Sequence, residues 1–276
     1  MSAKALQLSD DQVRDFRDKG VLYLPRWFDA VWVDTLRRGV DRNVIEPSKE
    51  FQVRFTDKAT GAQYITDSWS TAWIHEYLEF LRGSGIAEMA AKILEARKVA
   101  LLEDNYFVKK AGSGVPTPWH HDNPYLEVDG PFVIAWLPLD PIELGESLRV
   151  VVGSHRWGKR FLPADFDPDQ KRWGTDGVPE GYDLIPDICA HLEDYDIASW
   201  AVEPGDCILL DGLAVHGAAG NATPRDQRRF TCRFVSERAI YAPTPHKWTA
   251  SPPNHLKPGD PLVADSVAFP TLWDSG

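Results

Sequence analysis

The chain has 276 residues, 43% of them hydrophobic and 26% charged, with a formal net charge of −11 at neutral pH. That length can bury a full core as one large domain. The acidic balance argues against a nucleic-acid or anionic-membrane partner, because a phosphate backbone wants a basic surface; a local basic pocket for one small anion remains compatible with it.

No apolar run approaches the roughly 18 residues of a membrane span, and the start MSAKALQLSDDQ has neither an apolar signal-peptide core nor an Arg-rich transit bias. A cytoplasmic location is therefore expected. Three cysteines, Cys189, Cys207 and Cys232, form no CxxC pair. They signal neither a disulfide framework nor a thiolate zinc site, and are expected to be buried small hydrophobes.

In chain order, the N-terminal third reads as helical. Ser9 to Gln12 forms a capping box ahead of a helix that carries Val13 and Phe16 near one face. A short strand over residues 20–24 ends at Pro25, Asp29 caps a second helix through Trp32, Leu36 and Val40, and residues 74–94 carry a further helical pattern with a break at Gly83–Gly85. From residue 99 the period changes. Segments 99–110, 131–139, 147–152, 207–210 and 230–235 read as strands between Gly, Pro, Asn and Asp punctuation. Helices followed by such a run predict helices packed on a β-sandwich or barrel. Residues 156–200, rich in Asp, Pro and Gly, read as an insertion that covers a pocket and is more mobile without ligand.

The chemistry concentrates in TPWHHDNPYLEVDG, residues 117–130. His120 and Asp122 are two apart and can point the same way at a strand end. Downstream, PGDCILLDGLAVHG places His216 where a returning strand can complete the set. Two imidazoles and one carboxylate on one face of a metal leave three positions open, the arrangement of non-haem Fe(II) oxygenases. His121 should point the other way, as a structural residue.

These motifs, with ELGESLRVVVGSHRWG between them and DNYFVKKAGSG before them, resemble the phytanoyl-CoA dioxygenase family of Fe(II)- and 2-oxoglutarate-dependent oxygenases. The resemblance covers most of the chain. It implies a mainly β fold with flanking helices, a double-stranded β-helix (jelly roll, cupin-like), as one domain over 1–276. Its parts would be a helical region to about 98, a jelly-roll core over about 99–240 and a C-terminal extension over 241–276. The resemblance makes His120, Asp122 and His216 the iron ligands and Arg228 the partner of the distal carboxylate of 2-oxoglutarate. A guanidinium suits that role, since its planar fork stays charged when buried. The family's arginine commonly lies eleven residues after the second histidine and Arg228 lies twelve after, which leaves Arg229 as the alternative register. Ala218 stands where several relatives carry a serine toward the co-substrate, and Thr231 is the expected substitute donor. Asn105, Phe107 and Lys109 should share the inward face of their strand, with Lys109 toward a carboxylate.

The activity implied is hydroxylation of an unactivated C–H bond of a small organic substrate, with 2-oxoglutarate and O2 consumed and succinate and CO2 released. A halogenase would need a small residue in place of Asp122. A zinc hydrolase or isomerase on a cupin-like barrel, and a catalytically silent binding jelly roll, are the competing readings. Trp119 is expected to be a packing wall and His155 a loop-fixing hydrogen bonder, while Asp67, Trp69 and Trp73 are placed near the substrate. Neither substrate nor oligomeric state is legible.

Overall fold

The fold is described from a computed structural model over residues 7–164, 178–245 and 249–276. Helix α1 (Asp10–Lys19) opens with the predicted capping box: the Ser9 hydroxyl accepts from the Gln12 N–H and the Gln12 side chain accepts from the Ser9 N–H. It stops at Gly20, whose φ of 73° is the left-handed cap that glycine adopts without a Cβ penalty. Strand β1 (Val21–Leu24) and helix α2 (Ala30–Ile45) follow. The N-terminal third is less helical than its sequence suggests, because β2 (Gln52–Thr56) and β3 (Gln63–Ser68) pair antiparallel within it. Strand β2 is largely exposed and has no apolar alternation to betray it. Helices α3 (His75–Gly83) and α4 (Ile86–Leu94) flank the expected break at Ser84 and Gly85.

The strands that follow are β4 (Lys98–Lys109), β5 (Thr117–His120), β6 (Val128–Asp129), β7 (Phe132–Pro138), β8 (Leu148–Val151), β9 (Ile197–Ser199), β10 (Cys207–Asp211), β11 (His216–Ala218), β12 (Gln227–Ser236), β13 (Ile240–Tyr241) and β14 (Thr271–Asp274). They build a large sheet in the order β1-β10-β7-β12-β4-β3-β2, with β14 also on β4, and a small sheet in the order β5-β11-β8-β9. From β4 to β12 the core strands pass between the two sheets, with β8 and β9 as a consecutive pair within the small one, which makes the double-stranded β-helix that the resemblance implied.

Period-two alternation explains the layers. On β7, Val133, Ala135 and Leu137 pack against the helices, while Phe132, Ile134 and Trp136 fill the space between the sheets. On β12, Phe230, Cys232 and Phe234 join the helical side. Phe230 packs on Tyr77 of α3 in a tilted pair with ring centroids 4.6 Å apart and meets Phe80 edge-on at 6.1 Å. Phe230→Ala is expected to cost about 3–5 kcal/mol, the transfer loss plus the cavity left between sheet and helix. Denaturant titration would show it, and a loss under about 1 kcal/mol would contradict this packing account.

The insertion is not only a cover, since β9 lies inside it. Its described flanks place Phe161 and Ile188 against Trp119, Val151 and Val215 on the outer face of the small sheet. Residues 165–177 of the predicted cover lie outside the described residues. Cys207 and Cys232 are buried as expected, whereas Cys189 is exposed. Among the described residues no helix is long and apolar enough to cross a membrane.

Candidate active site

Strands β5 and β11 pair so that His120 and His216 stand directly opposite one another, with ring centroids 4.3 Å apart. Asp122 comes just after β5, at the head of the short turn Asn123–Tyr125. Its Oδ1 lies 3.4 Å from His120 Nε2 and 3.7 Å from His216 Nε2. The three side chains are buried, and one donor atom from each falls within 4.8 Å of the others. Both imidazoles are oriented by backbone carbonyls: His120 Nδ1 lies 2.8 Å from the Pro118 oxygen and His216 Nδ1 2.9 Å from the Ala214 oxygen. A proton on each Nδ1 leaves each Nε2 lone pair free for a metal. Burial pushes the His216 imidazole down to about 4, which favours the neutral form that a metal needs.

Burial alone would push the Asp122 carboxyl up, but the Arg233 guanidinium and the two imidazoles outweigh it and hold the group well below the usual carboxylate range. The arrangement therefore offers two imidazole nitrogens and one anionic oxygen to a divalent ion.

His121, the residue just past β5, points away from the cluster, as alternation with His120 predicts. Its Nε2 accepts from the Phe161 N–H at 2.9 Å, and burial pushes it down to about 4. An unfolded histidine titrates near 6.5. The unfolded chain therefore takes the proton first as pH falls, so the stability tied to neutral His121 is present above about 6.5 and is lost toward about 4. Metal-free protein is expected to weaken over that window. His121→Gln should flatten the slope in denaturant titrations at stepped pH; an unchanged slope would contradict the assignment.

The arginine pair corrects the register. Arg228 faces the helices: its Nε and Nη2 donate to Asp140 at 3.0 and 2.9 Å, and its Nη1 donates to Asp41 of α2 at 2.8 Å. The alternation that points Phe230 and Cys232 at the helices points Arg228 there too. Arg229 faces inward and is 4% exposed. Its Nη2 donates to the Gln227 side chain at 2.7 Å, and that side chain in turn donates to Glu146 at 2.6 Å.

Lys109 lies on the same inner face of the large sheet, 1% exposed, with its Nζ donating to the Ala219 carbonyl at 2.6 Å and sitting over the Tyr64 ring. Burial, then the neighbouring Arg229, pulls the Lys109 ammonium well below its ordinary value, and burial lowers Arg229 to about 10. Among the described residues neither cation is paired with a carboxylate. A buried guanidinium and a buried lysine nitrogen without a direct carboxylate partner, with Glu146 acting on both only through space, offer a site for an anion, whose charge would restore the proton that burial disfavours on Lys109.

Between these cations and the metal-capable cluster, Thr231 pairs with Asn105 across β12 and β4, and its hydroxyl donates to the Asn105 carbonyl at 3.3 Å. The Asn105 amide donates to Ser68 and its carbonyl accepts from Thr66, so both residues face inward as predicted but are engaged with the protein. Asp67 accepts from Asn43 and from the Ser48 backbone and hydroxyl, which pins the chain after α2 rather than contacting a substrate. Trp69 and Trp73 line a cavity of about 1190 Å³ together with Ser68, Leu102 and Asp104. The metal-capable cluster is not part of its wall. Trp119 packs in the outer cluster, and His155 Nε2 lies 3.1 Å from the Arg17 carbonyl, so both keep their structural expectations.

Sequence reasoning missed Gln227, Arg233 and Glu103. The Phe230, Cys232, Phe234 alternation carried the signal for the first two, and the inward set Asn105, Phe107 and Lys109 carried it for Glu103.

A jelly roll whose two sheets bring two histidines and an aspartate together beside a buried cationic pocket defines the class of metal-dependent oxygenases built on this fold. Residues 16–230 match the model of the phytanoyl-CoA dioxygenase (PhyH) family, and the chain belongs to that family of dioxygenases. The multifunctional dioxygenase ausE of Penicillium brasilianum is 28% identical over 94 residues. Those residues are 34% of this chain and 24% of that protein, so the match spans about a quarter of the relative's length.

Among solved structures, the non-heme alpha ketoglutarate dependent carbocyclase SnoK from nogalamycin biosynthesis superposes with a TM-score of 0.72 at 20% identity, covering 98% of each chain. The epimerase SnoN, in complex with Fe3+, alpha ketoglutarate and nogalamycin RO, gives a TM-score of 0.71 at 19% identity, covering 95% of this chain and 98% of its own. At these identities the likeness is one of fold.

Proposed function

We propose that this protein is an Fe(II)- and 2-oxoglutarate-dependent dioxygenase that hydroxylates an unactivated C–H bond of a small organic molecule and releases succinate and CO2. The observation that carries the reading is two sites that face the interior from opposite sheets: the His120, Asp122 and His216 cluster of the small sheet, and the buried basic side chains Arg229 and Lys109 on the inner face of the large one. A dicarboxylate with a keto group next to one end can reach both, with one end at the metal and the other at the cations.

In this reading His120, Asp122 and His216 hold the iron, which when bound supplies open positions for 2-oxoglutarate and O2. Arg229, oriented by Gln227, receives the distal carboxylate through its planar fork. Lys109 adds a second charge from β4, and Thr231 and Asn105 line the wall between. Burial of all these groups keeps water from the reacting atoms.

A screen of candidate small molecules for stimulated succinate formation tests the reading. Turnover that needs Fe(II), 2-oxoglutarate and air together is expected. Substrate conversion that proceeds equally with zinc and without 2-oxoglutarate would favour a hydrolase instead.

A further inference from the structure

Arg233 is 8% exposed on β12, two positions beyond Thr231 on the same inward face. Its Nε and Nη2 both donate to one oxygen of Asp122, Oδ2, at 2.9 and 2.6 Å. Its remaining arm, Nη1, lies 2.8 Å from Glu103 Oε2. The other Asp122 oxygen, Oδ1, is the one that faces both histidine Nε2 atoms.

Regular alternation along β4 and β12 makes this chain of charges, with Arg233 opposite Glu103, and a bulge follows directly beyond it. The β12–β4 register pairs Arg233 with Glu103 but Phe234 with Leu101, so Leu102 is an extra residue on β4. Without that extra residue, strict alternation could not place both Glu103 and the interior apolar residues Leu102 and Ala100 on the inner face.

We propose that Arg233, held from behind by Glu103, is a positioning residue that occupies Oδ2 of Asp122 so that the carboxylate presents Oδ1 alone to the metal. The proposal rests on the metal reading above. A carboxylate free to turn would chelate through both oxygens and fill one of the positions that the co-substrate and O2 require. The fork fixes the plane of the carboxylate because two N–H groups converge on a single oxygen, and a lysine cannot reproduce this. Glu103 has a separate task. A lone guanidinium beside a divalent cation would repel it, and the Glu103 carboxylate cancels that charge, so the three side chains together leave the net charge of Asp122 for the metal. Partners of this kind, behind a metal ligand, are commonly worth ten- to hundredfold in affinity.

The test uses Co(II) as the probe, comparing the wild type with Arg233→Lys and with the paired variant Arg233→Met, Glu103→Gln, which removes both charges together and leaves Asp122 with the two imidazoles alone until metal binds. Circular dichroism and thermal midpoints of the metal-free proteins report on folding alone. Co(II) titration gives the dissociation constant, and the ligand-field absorption of the bound ion reports its coordination. The paired variant is expected to bind Co(II) about ten- to hundredfold more weakly with an altered absorption spectrum, and Arg233→Lys to show the altered spectrum with a smaller loss of affinity. Wild-type affinity and spectrum in Arg233→Lys would overturn the assignment, and that variant decides the matter even if the paired one fails to fold. A stability loss with unchanged Co(II) spectrum and affinity would likewise reduce Arg233 to packing. If the wild-type protein itself takes up no Co(II), the metal reading fails and this assignment with it.

Discussion

Arg229→Ala is expected to raise the dissociation constant for 2-oxoglutarate at least about thirtyfold, whereas Arg228→Ala leaves it nearly unchanged. A desolvated, charge-assisted pair between a guanidinium and the distal carboxylate is worth roughly 2–5 kcal/mol on truncation, and each 1.4 kcal/mol is a factor of about ten. Arg229 is buried and lacks a carboxylate partner among the described residues, so its charge is available to a ligand. Arg228 spends its three donating nitrogens on Asp140 and Asp41. Its side chain is 24% exposed and its pair with Asp140 is bidentate, so losing those contacts should cost about 1–3 kcal/mol of stability without touching the ligand site. Arg229→Lys should recover only part of the affinity, because an ammonium keeps the charge without the fork. Calorimetric titration of the three variants checks this. Weakened binding in Arg228→Ala with normal binding in Arg229→Ala would reverse the register proposed here.

The second large effect belongs to Asp122. Asp122→Ala, and equally His216→Ala, is expected to bring 2-oxoglutarate consumption down to the metal-free baseline, because each removes one of three donors from a site that offers no fourth among the described residues. The fold should survive the loss of Asp122, since Arg233 keeps Glu103 at 2.8 Å and no buried charge is left alone. Unchanged circular dichroism together with loss of metal uptake is the predicted pair of results. Wild-type turnover in either purified variant would remove these residues from the metal site.

The site was largely legible in the sequence because its signals are short-range. His120 and Asp122 are two residues apart, and His216 follows a strand that the apolar run 207–210 announces. The arginine register was not resolved by spacing, although the strand carries its own answer. Arg228 and Thr231 are three apart and cannot share a face in a period-two strand, whereas Arg229, Thr231 and Arg233 can. Phe230, Cys232 and Phe234 mark the opposite, helix-facing side. Counting from the histidine fails because the length of the loop between β11 and β12 is free to vary, while alternation within β12 is not.

The remaining misses differ in cause. Glu103 follows Asn105, Phe107 and Lys109 on the inward face by plain alternation, but its partner Arg233 was not singled out; the bulge at Leu102, set by the partner strand rather than by local composition, is what turns Leu102 and Ala100 inward beyond it. Strands β5, β9 and β11 span only three or four residues each, too few to show a period. The β2–β3 hairpin hides in the N-terminal third because β3 is buried along nearly its whole length and β2 hardly at all, so neither alternates. The helices read well, since the capping box at Ser9 and the break at Gly85 are local chemistry.

The central claim is that the His120, Asp122 and His216 cluster and the Arg229 and Lys109 pocket bind one dicarboxylate between them. Anaerobic calorimetric titration of 2-oxoglutarate into the iron-loaded protein tests it most directly. The account predicts one binding site per chain whose affinity falls sharply when the metal is removed. Equal affinity with and without iron, or no binding in either state, would contradict it.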